Sequence, residues 1–318
     1  MTEAKLTLDR TGLHINSDEV AKALAKKNIS PSLITGVEVC PAKWVAESFV
    51  IRDLIEEDKD NPGTRGSLFH MVMELFFAHP PEERTPELVK SKVKEALAQP
   101  DFQHFATNKD AISWLREAIN GYYNMGGDPT KVEIAKIKTP KGDRSGLELF
   151  VKGKLGDTER NILGFVDRVI VDPRDSSKVI IEDWKSGAKA KKWNGKISSS
   201  DGMAEQRQQM IYTMLLEDQG YDVSLARLIY PVPREIINVQ TKNQELREKV
   251  VSDIENTDKS LVHMTEQNTF DCTPSFLCSF CPLAKICPVA DLKPYGKLKK
   301  AAAEQPRPED LYPVIQGM

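Results

Sequence analysis

Three charged side chains stand at or inside two apolar segments of the chain. Asp167 lies within the run Ile162–Val171, and Asp183 and Lys185 close the run Val179–Trp184. Charged residues are rare in buried strands unless they are paired or bind a metal. Two carboxylates and a lysine brought together by one hairpin therefore predict a divalent-metal site with a basic group beside it. A surface ion pair is the alternative for so short a pattern.

The predicted site has a definite ligand chemistry. Mg²⁺ and Mn²⁺ prefer hard oxygen ligands, which Asp167, Asp183 and the backbone carbonyl of Trp184 can supply. Lys185 would orient or deprotonate a water, or neutralise charge that develops on a phosphoryl group. Glu182 is expected to face away, because successive side chains of a strand point to opposite faces.

A second metal-binding pattern lies near the C-terminal end, where Cys278, Cys281 and Cys287 fall within ten residues. Three thiols this close are typical of metal ligands rather than of free structural cysteines. The fourth ligand is either Cys272, six residues upstream, or the remote Cys40. We favour Cys40, because it shares the Cys-Pro context of Cys281 and Cys287. Zinc and an iron–sulfur cluster both accept such a set.

Polar and basic side chains elsewhere could complete a nucleic-acid site. Gln208 and Tyr212 are four residues apart and therefore share one face of a predicted helix. His70 lies in an apolar helix, where a satisfied core histidine is the usual interpretation. A basic loop combines phosphate neutralisation with an aromatic ring, which suits single-stranded DNA, although a solvated loop is equally consistent with it. Its residues are Lys189, Lys191, Lys192, Trp193 and Lys196.

The spacing of hydrophobic residues, which indicates the elements that position these groups, changes from a helical to a strand pattern along the chain. Helical patterns dominate before residue 128 and include an apolar helix over Thr64–Ala78. Alternating strand patterns begin at Lys131, and about four successive strands include the acidic hairpin, whose turn is predicted over Asp172–Ser177. A helix, further strands and a long helix over Gln244–Gln267 follow. This order predicts an α/β core.

Composition narrows the class of protein. The chain has 318 residues, of which 40% are hydrophobic and 29% charged, as expected for a globular protein. No apolar run approaches the roughly 18 residues of a membrane span, and no secretory signal is visible. Five cysteines without a signal peptide point away from a disulfide scaffold and towards metal binding or catalysis. We expect a cytoplasmic protein of a prokaryotic or phage-infected cell. No phosphate-binding loop for ATP occurs. The net charge of −3 argues neither for nor against DNA binding, because a binding face can be locally basic while the whole chain is acidic.

Five short motifs, taken in order, resemble the PD-(D/E)XK nucleases, in particular the RecB-like branch that carries an iron–sulfur cluster. That branch includes the CRISPR-associated protein four exonucleases and the nuclease modules of helicase–nuclease recombination machines. The motifs are Gly66-x3-His70, Gly164-x2-Asp167, Asp183-x-Lys185, Gln208-x3-Tyr212, and Cys40 followed by Cys278, Cys281 and Cys287.

The resemblance implies an architecture and a set of cofactors. The fold would be a restriction-endonuclease-like core, a mixed central sheet flanked by helices, with an N-terminal helical region and a C-terminal iron–sulfur segment. The nuclease domain would span 30–290 with a helical insert at about 80–128, between an extension (1–29) and a tail (291–318). His70 would join Asp167 and Asp183 on Mg²⁺ or Mn²⁺, with Glu133 as a weaker candidate ligand. The four motif cysteines would hold a 4Fe–4S cluster.

The function that the resemblance implies is metal-dependent cleavage of DNA. Asp167, Asp183, Lys185, Gln208 and Tyr212 would form the catalytic set, and the basic loop would guide the strand. Single-stranded DNA or DNA ends would be the substrate, in recombination, repair or CRISPR-type spacer processing with the corresponding partner proteins. The alternative is a catalytically silent, DNA-binding iron–sulfur subunit of a larger complex.

Overall fold

The computed structural model describes residues 5–50, 60, 62–139, 142–185, 203–275, 278, 281, 283–284 and 287–290. Two compact units divide the chain. The cysteine unit takes Met1–Glu57, Lys154–Ile162 and Val251–Met318, and the sheet unit takes Asp58–Gly153 and Leu163–Val250. Among the described residues, no helix is both long and apolar enough to cross a membrane.

A five-stranded sheet forms the centre of the sheet unit, with the strand order β5-β6-β7-β8-β9. β6 and β7 are antiparallel, β7 and β8 are parallel, and β8 and β9 are antiparallel. The sheet is therefore mixed, and with helices around it the fold is α/β, as the sequence predicts. The strands are β5 Leu147–Gly153, β6 Ile162–Asp172, β7 Asp175–Trp184, β8 Val223–Tyr230 and β9 Glu235–Val239.

The turn of the acidic hairpin is shorter than the sequence predicts. β6 and β7 pair from Arg168 opposite Glu182 to Asp172 opposite Asp175, so only two residues connect them. The Asp172 carboxylate accepts hydrogen bonds from Arg174 and from the Ser224 hydroxyl of β8. These bonds fix the turn, which a count of polar residues could not anticipate.

Four of the α-helices that the structure describes belong to the sheet unit, and the first three of them contribute to one hydrophobic core. The four are α4 Pro62–Phe77, α5 Pro86–Leu97, α6 Lys109–Asn124 and α7 Met203–Asp218. Thr85 and Asn108 cap α5 and α6 by accepting hydrogen bonds from backbone amides of the first turn. The predicted helical insert thus forms α5 and α6, whose apolar residues pack with Phe69 and Phe77 of α4 and with Trp184 of β7.

A short β-ribbon lies outside the main sheet and corrects one predicted strand. It pairs β3 Lys136–Thr139 with β4 Gly142–Ser145. The alternating segment from Lys131 therefore forms a strand only at its end, and before it Ile134 makes a single bridge to Ile170.

The cysteine unit holds a small sheet that the sequence prediction missed. β1 Lys5–Asp9 and β2 Gly12–Asn16 form a hairpin, and β10 Thr269–Phe270 pairs with β2. The alternation of Leu13 and Ile15, both buried, was the available signal. The helices are α1 Asp18–Ala25, α2 Pro31–Val39, α3 Pro41–Val45, which continues as a π-helical turn to Val50, and α8 Gln244–Gln267, whose second part belongs here.

Candidate active site

Three potential metal ligands lie close together in the sheet unit. One ligand atom from each of His70, Glu148 and Asp167 lies within 4.8 Å of the other two. α4 carries the imidazole, β5 carries Glu148 and β6 carries Asp167. A helix and two strands therefore converge on one point, as a metal site built from an α/β core requires.

The peptide of Trp184, the last residue of β7, ties two of these groups together. Its N–H donates to Asp167 Oδ2 over 2.7 Å, and its carbonyl accepts from His70 Nε2 over 3.0 Å. His70 Nδ1 lies 3.4 Å from Asp167 Oδ2. The structure thus brings together the predicted imidazole, carboxylate and backbone carbonyl.

Asp183 and Lys185 belong to an adjoining polar chain rather than to the tight group of three. Lys185 Nζ forms an ion pair with Asp183 Oδ2 over 2.7 Å, although this oxygen accepts no well-aligned hydrogen bond. Lys185 Nζ also donates a hydrogen bond to Gln208 Oε1 over 3.3 Å. The Gln208 amide donates to Asp183 Oδ1 over 3.2 Å and to the Tyr212 hydroxyl over 3.3 Å. Gln208 and Tyr212 lie on α7, so this helix orients the lysine against the carboxylate.

The electrostatics of the three candidate ligands suit a bound cation. Burial raises the pKa of Glu148 to about 7, with Glu74 and Asp183 adding to the effect. Burial and the neighbouring Asp183 hold the pKa of Asp167 well above its ordinary value. Burial lowers the pKa of His70, so its imidazole is biased to the neutral form that binds metals. An imidazole, two carboxylates and a carbonyl fit Mg²⁺ or Mn²⁺, and such an ion would relieve the repulsion between the acids.

Lys185 keeps its positive charge in this setting. Burial alone would lower its pKa, but Asp183 and Asp167 outweigh burial, and the pKa lies above the ordinary value. Burial also raises the pKa of Tyr212 to about 12, so the phenol stays protonated. Lys185 is therefore suited to stabilise negative charge rather than to take a proton from water.

Sequence reasoning missed Glu148. Its backbone φ is +43°, a strained value for a residue with a side chain, and such strain tends to occur at functional sites. The signal was available, because Glu148 is an acid inside an apolar strand, as Asp167 is. Glu133, the acid that the sequence suggested, is exposed and lies outside the group of three.

The sequence matches the model of the PD-(D/E)XK nuclease superfamily over residues 28–288. The chain belongs to this superfamily. No curated protein matches it. A solved structure named a "putative exonuclease", from Eubacterium rectale, is similar with a TM-score of 0.52 at 13% identity, over 86% of this chain and 94% of that one. A second, named SSO0001, has a TM-score of only 0.31 at 15% identity, over 71% of this chain and 85% of that one.

The reverse face of the nuclease hairpin carries a buried ion-pair network. Glu182 is fully buried and faces away from Asp183, as expected. Its carboxylate accepts from Arg168 Nε and from Arg227 Nε, each over 2.6 Å. The Arg168 guanidinium lies over the rings of Phe77, at 4.1 Å, and Trp184, at 4.5 Å. The network links β6, β7 and β8 on the sheet face opposite Asp167 and Asp183.

All five cysteines of the nuclease line one cavity of the cysteine unit. The neighbouring Cys272 thiol lowers the pKa of both Cys40 and Cys287 to about 6. Burial raises the pKa of Cys281 to about 12. Backbone amides of Thr273 and Ser275 donate to the sulfurs of Cys40 and Cys278. Both candidates for the fourth ligand are therefore present.

The predicted DNA-guiding loop lies outside the described residues. This applies to all five of its members, Lys189, Lys191, Lys192, Trp193 and Lys196, and to the tail from residue 291. Their proposed role stays a prediction.

Proposed function

We propose that this nuclease is a metal-dependent DNA exonuclease of the RecB-like, iron–sulfur branch, of the CRISPR-associated protein four type. The observation that carries the proposal is the convergence of His70, Glu148 and Asp167 within 4.8 Å, beside the Lys185–Asp183 ion pair. Phosphodiester hydrolysis needs metal ligands and a positively charged side chain held beside them, and this site offers both. The matched span of 28–288 is close to the proposed nuclease domain of 30–290.

The catalytic roles follow from charge and position. His70, Glu148, Asp167 and the Trp184 carbonyl would hold Mg²⁺ or Mn²⁺, and an imidazole ligand favours manganese. Asp183, which lies next to this group and is paired with Lys185, stays a predicted further ligand. The bound ion would supply Lewis-acid chemistry and lower the pKa of a water. Lys185 would neutralise charge that develops on the phosphoryl oxygens. Asp183 and Gln208 hold the ammonium of Lys185 in place, and the Tyr212 hydroxyl holds Gln208.

The cysteine cavity has the thiols that a 4Fe–4S cluster needs, since all five cysteines line it. Zinc would accept the same thiolates. The cysteine motif, one remote cysteine followed by three close ones, resembles that of the iron–sulfur branch and favours the cluster. We propose Cys40, Cys278, Cys281 and Cys287 as its ligands.

The proposed substrate is single-stranded DNA or a DNA end, and recombination, repair and spacer processing all produce such ends. A cleavage assay with 5′- and 3′-labelled single- and double-stranded DNA, in Mg²⁺, Mn²⁺ or chelator, tests this directly. We expect metal-dependent release of short products and a loss of about 100- to 1,000-fold for Lys185→Ala. Lys178→Ala, in a half-exposed, ion-paired position of the same strand, is the matched control and should cleave normally.

Two results would contradict the proposal. Unchanged cleavage by the double variant Asp183→Ala, Lys185→Ala would remove the catalytic assignment. DNA binding by the wild type without any cleavage under all metal conditions would favour the catalytically silent subunit instead.

A further inference from the structure

Two phenylalanine rings are exposed beside the candidate metal site. In the described part of the chain, the exposed large apolar side chains are Phe150, Phe165 and Ile236. Phe165 has an exposed fraction of 54% and Phe150 of 38%. Their ring centroids are 5.3 Å apart, with the planes tilted by 53°, so the two rings form one aromatic patch. Exposure of such a pair to water needs a reason beyond folding.

The aromatic patch adjoins the carboxylates. Phe150 follows Glu148 by two residues on β5, and Phe165 precedes Asp167 by two residues on β6. Two residues of a strand span about 6.6 Å, which is close to the size of one nucleotide unit. Each ring therefore stands one short step from a proposed metal ligand.

A cation extends the same strand. Lys152 is exposed two residues beyond Phe150, and no ion-pair partner of Lys152 occurs among the residues that the structure describes. β5 lies at the end of the five-stranded order, so these groups occupy a sheet edge. Carboxylate, ring and ammonium thus follow one another along β5 in the order Glu148, Phe150, Lys152.

This combination suits one ligand chemistry. Proteins that bind single-stranded nucleic acid pair a cationic track for phosphates with aromatic rings on which unpaired bases stack. A duplex keeps its bases stacked and paired, so it cannot offer a base face to these rings. A partner protein would also cover an apolar patch. The aromatic patch, however, adjoins the proposed site of phosphodiester cleavage, and this position favours a nucleotide as its ligand.

We propose that Phe150 and Phe165 form a stacking platform for an unpaired base of the substrate strand, next to the scissile phosphate, with Lys152 contacting the backbone. The inference rests on the proposed nuclease function, and it adds a preference for single-stranded substrate. Since both rings are exposed, their replacement should leave the fold intact.

The test measures binding apart from cleavage. A fluorescein-labelled oligothymidine is titrated with the full chain in chelator, where metal-dependent hydrolysis is blocked. We expect Phe165→Ala and Phe150→Ala each to weaken binding by about 5- to 150-fold, the range for loss of one stacked base. Phe165→Trp should retain affinity. Ile236→Ala is the matched control, because Ile236 is similarly exposed on β9 of the same sheet.

A second oligothymidine, with an abasic position moved stepwise along it, identifies the stacked base. At one position the loss caused by Phe165→Ala should disappear, since no base remains to stack. Equal affinity of the wild type and both alanine variants would overturn the platform. A shift from dimer to monomer in the alanine variants, seen by light scattering, would overturn it in favour of a second copy.

Failure of the platform and failure of the proposed function are distinguishable. A wild-type protein that cleaves labelled DNA while Phe→Ala variants bind and cleave normally keeps the function and loses the platform. A wild-type protein that never cleaves DNA loses the function, whatever the binding data.

Discussion

Gly164 lies directly against the ring of Tyr212: a Cβ atom added at Gly164 would stand 2.5 Å from the tyrosine hydroxyl and 2.8 Å from Cζ. Tyr212 is buried, with 4% of its surface exposed, so the ring has little room to move. The glycine of the Gly164-x2-Asp167 motif thus has a physical explanation. It admits the phenol that holds Gln208, and through Gln208 the Lys185–Asp183 pair.

Gly164→Ala should therefore both destabilise and slow the enzyme. Overpacking of this kind costs about 1–3 kcal/mol of unfolding free energy. Displacement of Tyr212 should lower kcat more than it changes KM, because Gln208 would no longer orient Lys185. Urea unfolding and steady-state cleavage measure the two effects. Combination with Tyr212→Ala should show coupling, since the smaller side chain removes the collision; strictly additive free energies would count against it.

Glu148→Gln should weaken the metal site, whereas Glu133→Gln should not. Loss of a direct ligand is expected to exceed the roughly 10- to 100-fold effect of losing an outer partner of a ligand. The amide keeps the shape of the side chain, so the fold is retained. Mn²⁺ titration by calorimetry and the Mn²⁺ dependence of cleavage measure the effect. The reverse order, with Glu133→Gln defective and Glu148→Gln normal, would restore the assignment made from sequence.

The raised pKa of Glu148 predicts an acid-side loss of metal affinity. A carboxyl with a pKa of about 7 is increasingly protonated below that pH, and a protonated ligand must lose its proton before it binds the ion. The apparent affinity for Mn²⁺ should therefore fall as pH drops below about 7. Calorimetry in buffers of different ionisation enthalpy should detect proton release on binding. Glu148→Gln should flatten the pH dependence.

The same shift has the opposite sign for stability of the metal-free protein. Since the folded-state pKa of Glu148 is above its unfolded value, the contribution to stability is fully present below the unfolded pKa and is lost as pH rises through about 7. His70, whose folded pKa is lowered, acts in the other direction. The comparison of wild type with Glu148→Gln between about pH 5.5 and 8 isolates the glutamate. As the pH rises, the Tm of the wild type should fall more than the Tm of Glu148→Gln.

Local patterns predicted most of the elements, since their signals are contained in short segments. The long helix over Gln244–Gln267 has the predicted bounds, and the two apolar runs around Asp167 and Asp183 form the predicted hairpin. The order of elements predicted the α/β core, and the family resemblance implied the mixed sheet. The N-terminal hairpin was missed because its strands are short and it is completed by Thr269–Phe270, far away in sequence.

Tertiary relationships limited the prediction of the site. The structure brings His70, Asp167 and the Trp184 carbonyl together, a grouping that the sequence offered only through the family resemblance, and their role on a metal stays a prediction. Glu148 was missed although it is an acid inside an apolar strand, because its approach to His70 depends on a positive φ and on the packing of α4, neither of which its residue type reveals. The burial of Glu182 between two arginines on the opposite face likewise requires knowledge of β8.

Cys272 should be dispensable for the cluster, whereas Cys40 should not. If the proposed four ligands are right, Cys272→Ala retains visible thiolate-to-iron absorbance and the iron and sulfide content of the wild type. Cys40→Ala should lose both, because three thiolates leave one iron without a ligand. Retention by Cys40→Ala with loss in Cys272→Ala would exchange the fourth ligand. Zinc without sulfide in the wild type would contradict the cluster itself.

Substitutions in the buried network of Arg168, Glu182 and Arg227 should lower the free energy of unfolding by unequal amounts. Glu182→Gln leaves the buried Arg168 guanidinium without a counter-charge, and such a loss typically costs about 3–5 kcal/mol of unfolding free energy. Arg227→Ala should cost less, because the Arg227 side chain is 27% exposed and water screens its pairing with Glu182. Chemical unfolding of both variants gives the comparison.

The double variant Arg168→Met, Glu182→Leu serves as the control for this network. Apolar side chains of similar volume remove both fully buried charges and leave only Arg227, whose side chain is 27% exposed, without its partner, so the double variant should be more stable than Glu182→Gln alone. Its cleavage rate separates clamping from simple stability. A folded double variant with reduced kcat and unchanged KM would mean that Arg168 and Glu182 position Asp167 and Asp183; a wild-type rate would mean that they serve stability alone.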